Sequence, residues 1–307
     1  MARESFVLLD GRAVLVVSGP DRRAFLQGLV SNDVEKLGPK RALYAALLTA
    51  QGKYLFDFFM VEAGEAIWLE AEAARLSDLK RRLSTYRLRA KVALDEMPQL
   101  AVAAVLGSGA PAALGLPPAP GAAREFGGGT IYVDPRLSQL GARAILPREG
   151  ARASLAGMGL AEADFALYER LRLALGVADG GRDLVVDKSI LLEAGFDELH
   201  GVDWQKGCYV GQELTARTKY RGLVKRRLVP VAITGAAPPP GALVTLEGRE
   251  VGEMRSNHEG KGLALLRIEA AHDGRPLECG EARLLPSVPD WMRLDRPEAA
   301  GAPTSAR

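Results

Sequence analysis

The chain has 307 residues and a mass of 32.8 kDa, a length for which about two domains and a sizeable buried core are expected. Hydrophobic residues make up 48% and charged residues 25%, an ordinary soluble composition that excludes disordered, collagen-like and disulfide-scaffold classes. Lys and Arg number 40 against 38 Asp and Glu, a net charge of only +2, so any electrostatic function is local.

In chain order, apolar runs at 6–9 and 14–17 are split by Asp10, Gly11 and Arg12, which reads as a β-hairpin and not as a signal peptide. Phe25, Leu26 and Leu29 predict a short amphipathic helix over 22–30, ended by Ser31, Asn32 and Asp33. Runs at 43–49 and 54–61, separated by Gln51, Gly52 and Lys53, predict an antiparallel pair, and 73–84 a helix. From 86 to 94 the pattern alternates, with Leu88, Ala90, Val92 and Leu94 opposite Arg87, Arg89 and Lys91, so a strand with one basic face is expected.

Residues 97–123 are uncharged, but Pro111, Pro117, Pro118, Pro120 and several glycines break them as a membrane span. The Gly, Pro and Ala-rich stretch 107–129 reads as a loop within a second, smaller unit running to about residue 157. Phe165, Tyr168, Leu171 and Leu175 predict a helix over 162–174 that Gly176 stops. After Arg227, strand-like pieces at 228–233, 242–246, 249–254, 262–268 and 281–285 predict a small antiparallel barrel or sandwich, and a frayed tail follows residue 293.

The two cysteines, Cys208 and Cys279, are too far apart for a Cys-x-x-Cys pair, so a reducing compartment is the default and a cytoplasmic protein is expected. Three histidines without a His-Glu-x-x-His array offer no metal ligand set.

Lys206-Gly207-Cys208-Tyr209-Val210-Gly211-Gln212-Glu213 is the strongest signal. Two glycines bracket Cys208 and permit positive φ, and Lys206 would favour its thiolate; a tight turn feeding a helix, with a half-buried cysteine, accounts for the spacing equally well. No histidine stands where a Cys-His dyad is evident, although His200 could fold near Cys208, so a cysteine hydrolase is not expected. Asp57 lies in Tyr54-Leu55-Phe56-Asp57-Phe58-Phe59, where alternation puts it on the face of Leu55 and Phe59. A carboxylate among aromatics must be paired, neutralised or bound, and a pterin ring, with adjacent N–H donors and a flat face, matches it. A turn cap, or pairing with Arg87 or Arg89, is the structural alternative. Arg217-x-Lys219-x-Arg221 and Lys225-Arg226-Arg227 place six positive charges together without an acid. They suit a folate's glutamate tail or a phosphate backbone, or form a solvated linker. Tyr220 is the only aromatic in that run, which supports RNA stacking poorly.

The octapeptide, followed by Leu214-Thr215-Ala216-Arg217 and preceded by Glu193-Ala194-Gly195-Phe196-Asp197-Glu198-Leu199, resembles the signature of the YgfZ family of folate-binding proteins. That family includes mitochondrial and bacterial factors for maturation or repair of iron–sulfur enzymes and shares a fold with the aminomethyltransferase T-protein of glycine cleavage. Phe25-Leu26-Gln27-Gly28, residues 52–57, Leu171-Arg172-Leu173-x-x-Gly176 and Lys225-Arg226-Arg227-Leu228 match in the same order, covering roughly 5–285.

The resemblance implies an α+β chain with a T-protein-like cloverleaf. It comprises a discontinuous folate-binding α+β domain of ferredoxin-like type (1–97 and 160–225), a second such unit (98–159), a C-terminal antiparallel β-barrel (226–290) and a flexible tail (291–307). It further implies tetrahydrofolate or a derivative as cofactor, with Cys208 as the functional thiol and a folate site drawing on Asp57, Phe59, Lys206, Tyr209, Gln212, Arg217 and Arg221. The implied role is that of an accessory protein to iron–sulfur client or assembly proteins, without membrane or nucleic acid. The competing class is a folate-dependent aminomethyl transferase, for which Asp57 falls at the essential aspartate while Phe56 replaces the aspartate before it. An RNA-binding adaptor ranks last.

Overall fold

The structure, a computed structural model, describes residues 4–294. The first two strands, β1 (Ser5–Leu8) and β2 (Arg12–Ser18), do not form the expected hairpin, because they part into different sheets. The turn residues between them are where the chain crosses from one sheet to the other. β2 lies in a five-stranded antiparallel sheet with β3 (Leu43–Leu48), β4 (Tyr54–Ala63), β5 (Ala66–Glu72) and β6 (Ala93–Glu96), in the order β3-β4-β5-β2-β6. β1 joins β7 (Leu100–Leu106), β8 (Ala123–Phe126), β9 (Gly129–Val133), β10 (Ala142–Pro147) and β11 (Ala161–Glu162), in the order β11-β1-β7-β10-β9-β8. The second sheet therefore draws its β1 and β11 from outside residues 98–159.

The two sheets pack face to face. Val14, Val16, Tyr44, Phe59 and Val61 from the first meet Val102, Ala104 and Ile145 from the second in one apolar layer. The outer face of the first sheet packs on α1 (Arg22–Gln27) and α2 (Leu76–Arg87) through Leu26, Leu79 and Leu83. The outer face of the second is covered by α3 (Ala110–Ala113) and α4 (Ala151–Gly157). Period-two alternation gives each strand two apolar faces here, as a sheet buried on both sides requires.

The strand expected over 86–94 is instead the end of α2, a turn and then β6. Leu88 terminates the helix at φ 44° with its side chain 90% exposed, so the alternating pattern was spread over three conformations and no basic strand face exists. The 107–129 loop carries α3 and β8.

α5 (Phe165–Leu175) begins at Asp164, whose side chain accepts from Ala166 N, and ends at Gly176, at φ 73°, as expected. α6 (Gly180–Asp183) and α7 (Gln212–Tyr220) follow. The C-terminal strands β12 (Arg226–Thr234), β13 (Leu243–Leu246), β14 (Arg249–His258), β15 (Lys261–Arg267), β16 (Leu277–Cys279) and β17 (Ala282–Pro286) close into a barrel. The helix α8 (Ile268–Asp273) sits between β15 and β16. Fully buried Arg172 ties α5 to this barrel, donating to Asp183 Oδ2 at 2.8 Å and to Ser256 Oγ at 3.0 Å. The expected flexible tail lies, from residue 295 on, outside the described residues; Trp291 to Leu294 pack on the barrel. No helix among the described residues is long and apolar enough to cross a membrane.

Candidate functional site

Asp57 is 6% exposed and lines a cavity of about 220 Å³ at the crossover between the sheets. A β-bulge sets its orientation: Leu47 pairs with Phe56 and Leu48 with Tyr54, so Leu55 is the extra residue. Leu55 therefore turns to the helix-covered face, and Tyr54 shares the cavity face with Asp57 and Phe59. Asp57 pairs with neither Arg87 nor Arg89. It accepts from Tyr54 Oη on Oδ1 at 2.7 Å and from Tyr44 Oη on Oδ2 at 2.9 Å. Burial, then the charge of Asp57, pushes both phenols well above their ordinary range, so both remain donors. A Cβ at Gly180 would come within 2.8 Å of Asp57 Oδ1, so the glycine that opens α6 keeps this side clear.

Arginines that sequence reasoning missed form the rest of the wall. Arg12, Arg136 and Arg143 line the cavity, with Arg182. Glu70, fully buried, accepts from Arg12 Nε at 3.0 Å, Arg143 Nε at 3.0 Å and the Tyr132 hydroxyl. Burial alone would raise its carboxyl, but Arg143 and Arg12 hold it down at about 2. Asp134 takes Arg136 through Nε at 3.0 Å and Nη2 at 2.8 Å. Phe59 lines the cavity, yet its ring has guanidinium carbons of Arg143 at 4.3 Å, Arg136 at 4.8 Å and Arg12 at 5.7 Å from its centroid. It backs the arginines and offers no free face. The open aromatic face belongs to Phe165, 44% exposed at the start of α5 beside Tyr168.

These residues fit the head of a folate. A carboxylate has about four acceptor positions, so with two taken by tyrosines Asp57 retains acceptor capacity for pterin donors, and the arginines suit a ring carbonyl. The volume falls below the range of about 300–1,000 Å³ for whole drug-sized ligands. It suits a group of the size of a bicyclic ring.

The octapeptide forms a second centre. Cys208 is exposed and Cys279 buried. Gly211 has φ 83° and packs on the β3–β4 turn, where an added Cβ would lie 2.5 Å from Thr49 O, whereas Gly207 does not take positive φ. Lys206 does not serve the thiol: its ammonium donates to Gln27 O, Val30 O and Asn32 O at 2.9, 2.6 and 2.7 Å. Burial pushes it down to about 8, with Asp33 and Asp203 opposing. Tyr209 is buried, and Gln212 Oε1 accepts from its backbone N–H at 3.2 Å. His200 lines an open groove in which Cys208 takes no part.

The basic run meets acids in space. Arg217 pairs with Glu213 at 3.1 Å, Lys219 with Asp197 at 2.8 Å, Arg226 with Glu193 at 3.2 Å and Arg227 with Glu198 at 2.9 Å. Of the expected folate contacts, the structure brings only Asp57 and Phe59 to the cavity lining. Lys206, Tyr209, Gln212 and Arg217 lie outside it, and Arg221 lines the open groove.

Lys206→Met is expected to cost about 2 kcal/mol in urea unfolding, because it strands three carbonyls that lose charge-assisted bonds. Amide exchange over 206–211 should accelerate; unchanged protection would mean that the loop is held by other contacts.

Comparison with known proteins gives a consistent picture. Residues 225–294 match the family model described as CAF17, C-terminal beta-barrel domain. The human protein named iron-sulfur cluster assembly factor IBA57, mitochondrial, is 36% identical, covering 92% of this chain and 84% of its own length. The mouse protein of that name is 34% identical with the same coverage. Glycine cleavage system aminomethyltransferase T from Bartonella henselae superposes with a TM-score of 0.77 at 19% identity, over 94% of this chain and 86% of that one. The fold is thus aminomethyltransferase-like, mixed α and β with a closed C-terminal barrel, as the motif resemblance implied. The relatives' names place those proteins in mitochondria, whereas the sequence alone led to an expectation of the cytoplasm.

Proposed function

Since the chain belongs to the IBA57 family of iron–sulfur cluster assembly factors, to which the YgfZ family named from the octapeptide is related, we propose that it acts in iron–sulfur cluster assembly or repair as a tetrahydrofolate-binding accessory protein, with Cys208 as its functional thiol. The observation that carries this reading is the exposed Cys208, presented from a loop clamped by Lys206. A thiol held at the surface is available to an iron–sulfur client or assembly protein, and the cost of ordering its loop is met before any partner arrives.

The cavity supplies the folate half. Bound tetrahydrofolate provides a reduced pterin able to carry a one-carbon unit. Asp57 would accept from the pterin donors, Tyr44 and Tyr54 would keep it oriented, and Phe165 would cover the mouth. The aminomethyl transferase reading is less favoured, because Phe56 stands where that enzyme has a further aspartate.

Asp57→Ala is expected to weaken tetrahydrofolate binding by about 1–3 kcal/mol in calorimetry, the range for hydrogen bonds to a charged group. Equal affinity in wild type and variant rejects the contact. Absence of glycine-dependent methylene transfer by the folate-loaded wild type is expected, and turnover there would favour the transferase.

A further inference from the structure

An open groove of about 980 Å³ lies where α7, the 191–200 segment and one end of the barrel meet, and it shares no lining residue with the Asp57 cavity. Its walls carry Lys219, Arg221, Arg227, Arg293 and His200 against two carboxylates, Asp197 and Glu198. Those acids are already engaged, Asp197 by Lys219 and by Trp204 Nε1 at 2.6 Å, and Glu198 by Arg227. Arg221 and Arg293 are exposed, and among the described residues neither side chain has a carboxylate partner.

Arg227 is the distinctive feature. It is 6% exposed and donates through Nη1 to Glu198 Oε1 at 2.9 Å and to Arg293 O at 3.3 Å. Among the described residues its Nε and Nη2 have no partner, nor has Glu198 Oε2. A buried polar group left unpaired is costly, and the Nε–Nη2 edge of a guanidinium is the fork that grips a carboxylate through two parallel bonds. Trp291 and Tyr220, the latter 71% exposed, add aromatic surface to apolar Leu192, Val224 and Ile268.

We propose that this groove binds an acidic peptide segment of a protein partner, its carboxylates meeting Arg221, Arg293 and Arg227 and its apolar side chains lying on Trp291 and Val224. Charge complementarity selects that occupant. The groove combines cations that lack a carboxylate partner with apolar wall residues, which suits a peptide carrying both kinds of side chain, whereas two carboxylates in the wall interrupt the continuous basic track that a nucleic-acid backbone requires.

The test uses the full chain and a fluorescein-labelled hexaglutamate peptide followed by anisotropy. The wild type is expected to bind it with an affinity that falls with added salt, and the double variant Arg221→Glu, Arg293→Glu to bind at least about tenfold more weakly. Arg227→Lys, which keeps the charge and loses the fork, is expected to weaken binding several-fold. Tetrahydrofolate affinity should be the same in wild type and double variant, so this inference and the folate reading fail separately. No hexaglutamate binding, or equal binding by wild type and double variant, overturns the proposal. So does tighter binding of single-stranded oligothymidylate that the same double variant abolishes, which would assign the groove to nucleic acid.

Discussion

Replacing Glu70 by glutamine is expected to destabilise the protein by about 3–5 kcal/mol, the cost of removing one partner from a buried ion cluster. The variant leaves Arg143, 2% exposed, and Arg12 without the carboxylate they share, and only Asp134 remains near Arg143, at 3.7 Å. The pH dependence follows from a folded-state carboxyl held at about 2 against an ordinary 4.5. A group depressed in the folded state contributes stability in full above its unfolded value and loses it as pH falls through its folded value. The contribution, about 3 kcal/mol for a shift of this size, is thus complete at neutral pH and disappears between roughly pH 4.5 and 2. Urea midpoints for wild type and Glu70→Gln should therefore converge over that interval. Parallel curves down to pH 2 would show that the cluster's charge is neutralised elsewhere.

Cys208→Ala is expected to abolish support of iron–sulfur enzymes in a strain lacking this protein, while unfolding changes by less than about 0.5 kcal/mol, as for other exposed positions. Cys279 is the internal control: it is 2% exposed, and burial pushes its thiol up. In native protein Cys208 should alkylate much faster than Cys279, and the two rates should converge in denaturant, where burial no longer separates them. Full complementation by Cys208→Ala would leave the octapeptide with a purely architectural role and shift the function onto the cavity.

The parts legible in the sequence were those encoded over a few residues. The barrel strands stood out because short alternating runs lie between turn residues; β16 was passed over because it has three residues. Gly176 marked its helix end. The cavity wall was another matter. Glu70 and Arg143 meet across 73 positions, and nothing local to either distinguishes a buried arginine from a solvated one. Asp57 was found, but its neighbour was misassigned, since one extra residue in β4 exchanges the faces of everything before it. The six-cation run misled because Glu193, Asp197 and Glu198 are brought to it only by the fold, while Glu213 stands one helical turn before Arg217.

The short crossover between β1 and β2 makes the cavity a joint as well as a pocket. Leu9, Gly11 and Arg12 are the residues by which the chain leaves one sheet for the other, and the same three residues line the space beside Asp57. A molecule seated there touches a tether between two layers that also meet through apolar contact and through the bonds of Glu70 to Arg143 and Tyr132. Occupancy should therefore act as a brace, raising the melting temperature with the logarithm of ligand concentration above Kd and slowing exchange of the amides on both sides of the crossover together. Occupancy, on this view, is written into the stiffness of the whole sandwich and not only into the pocket itself.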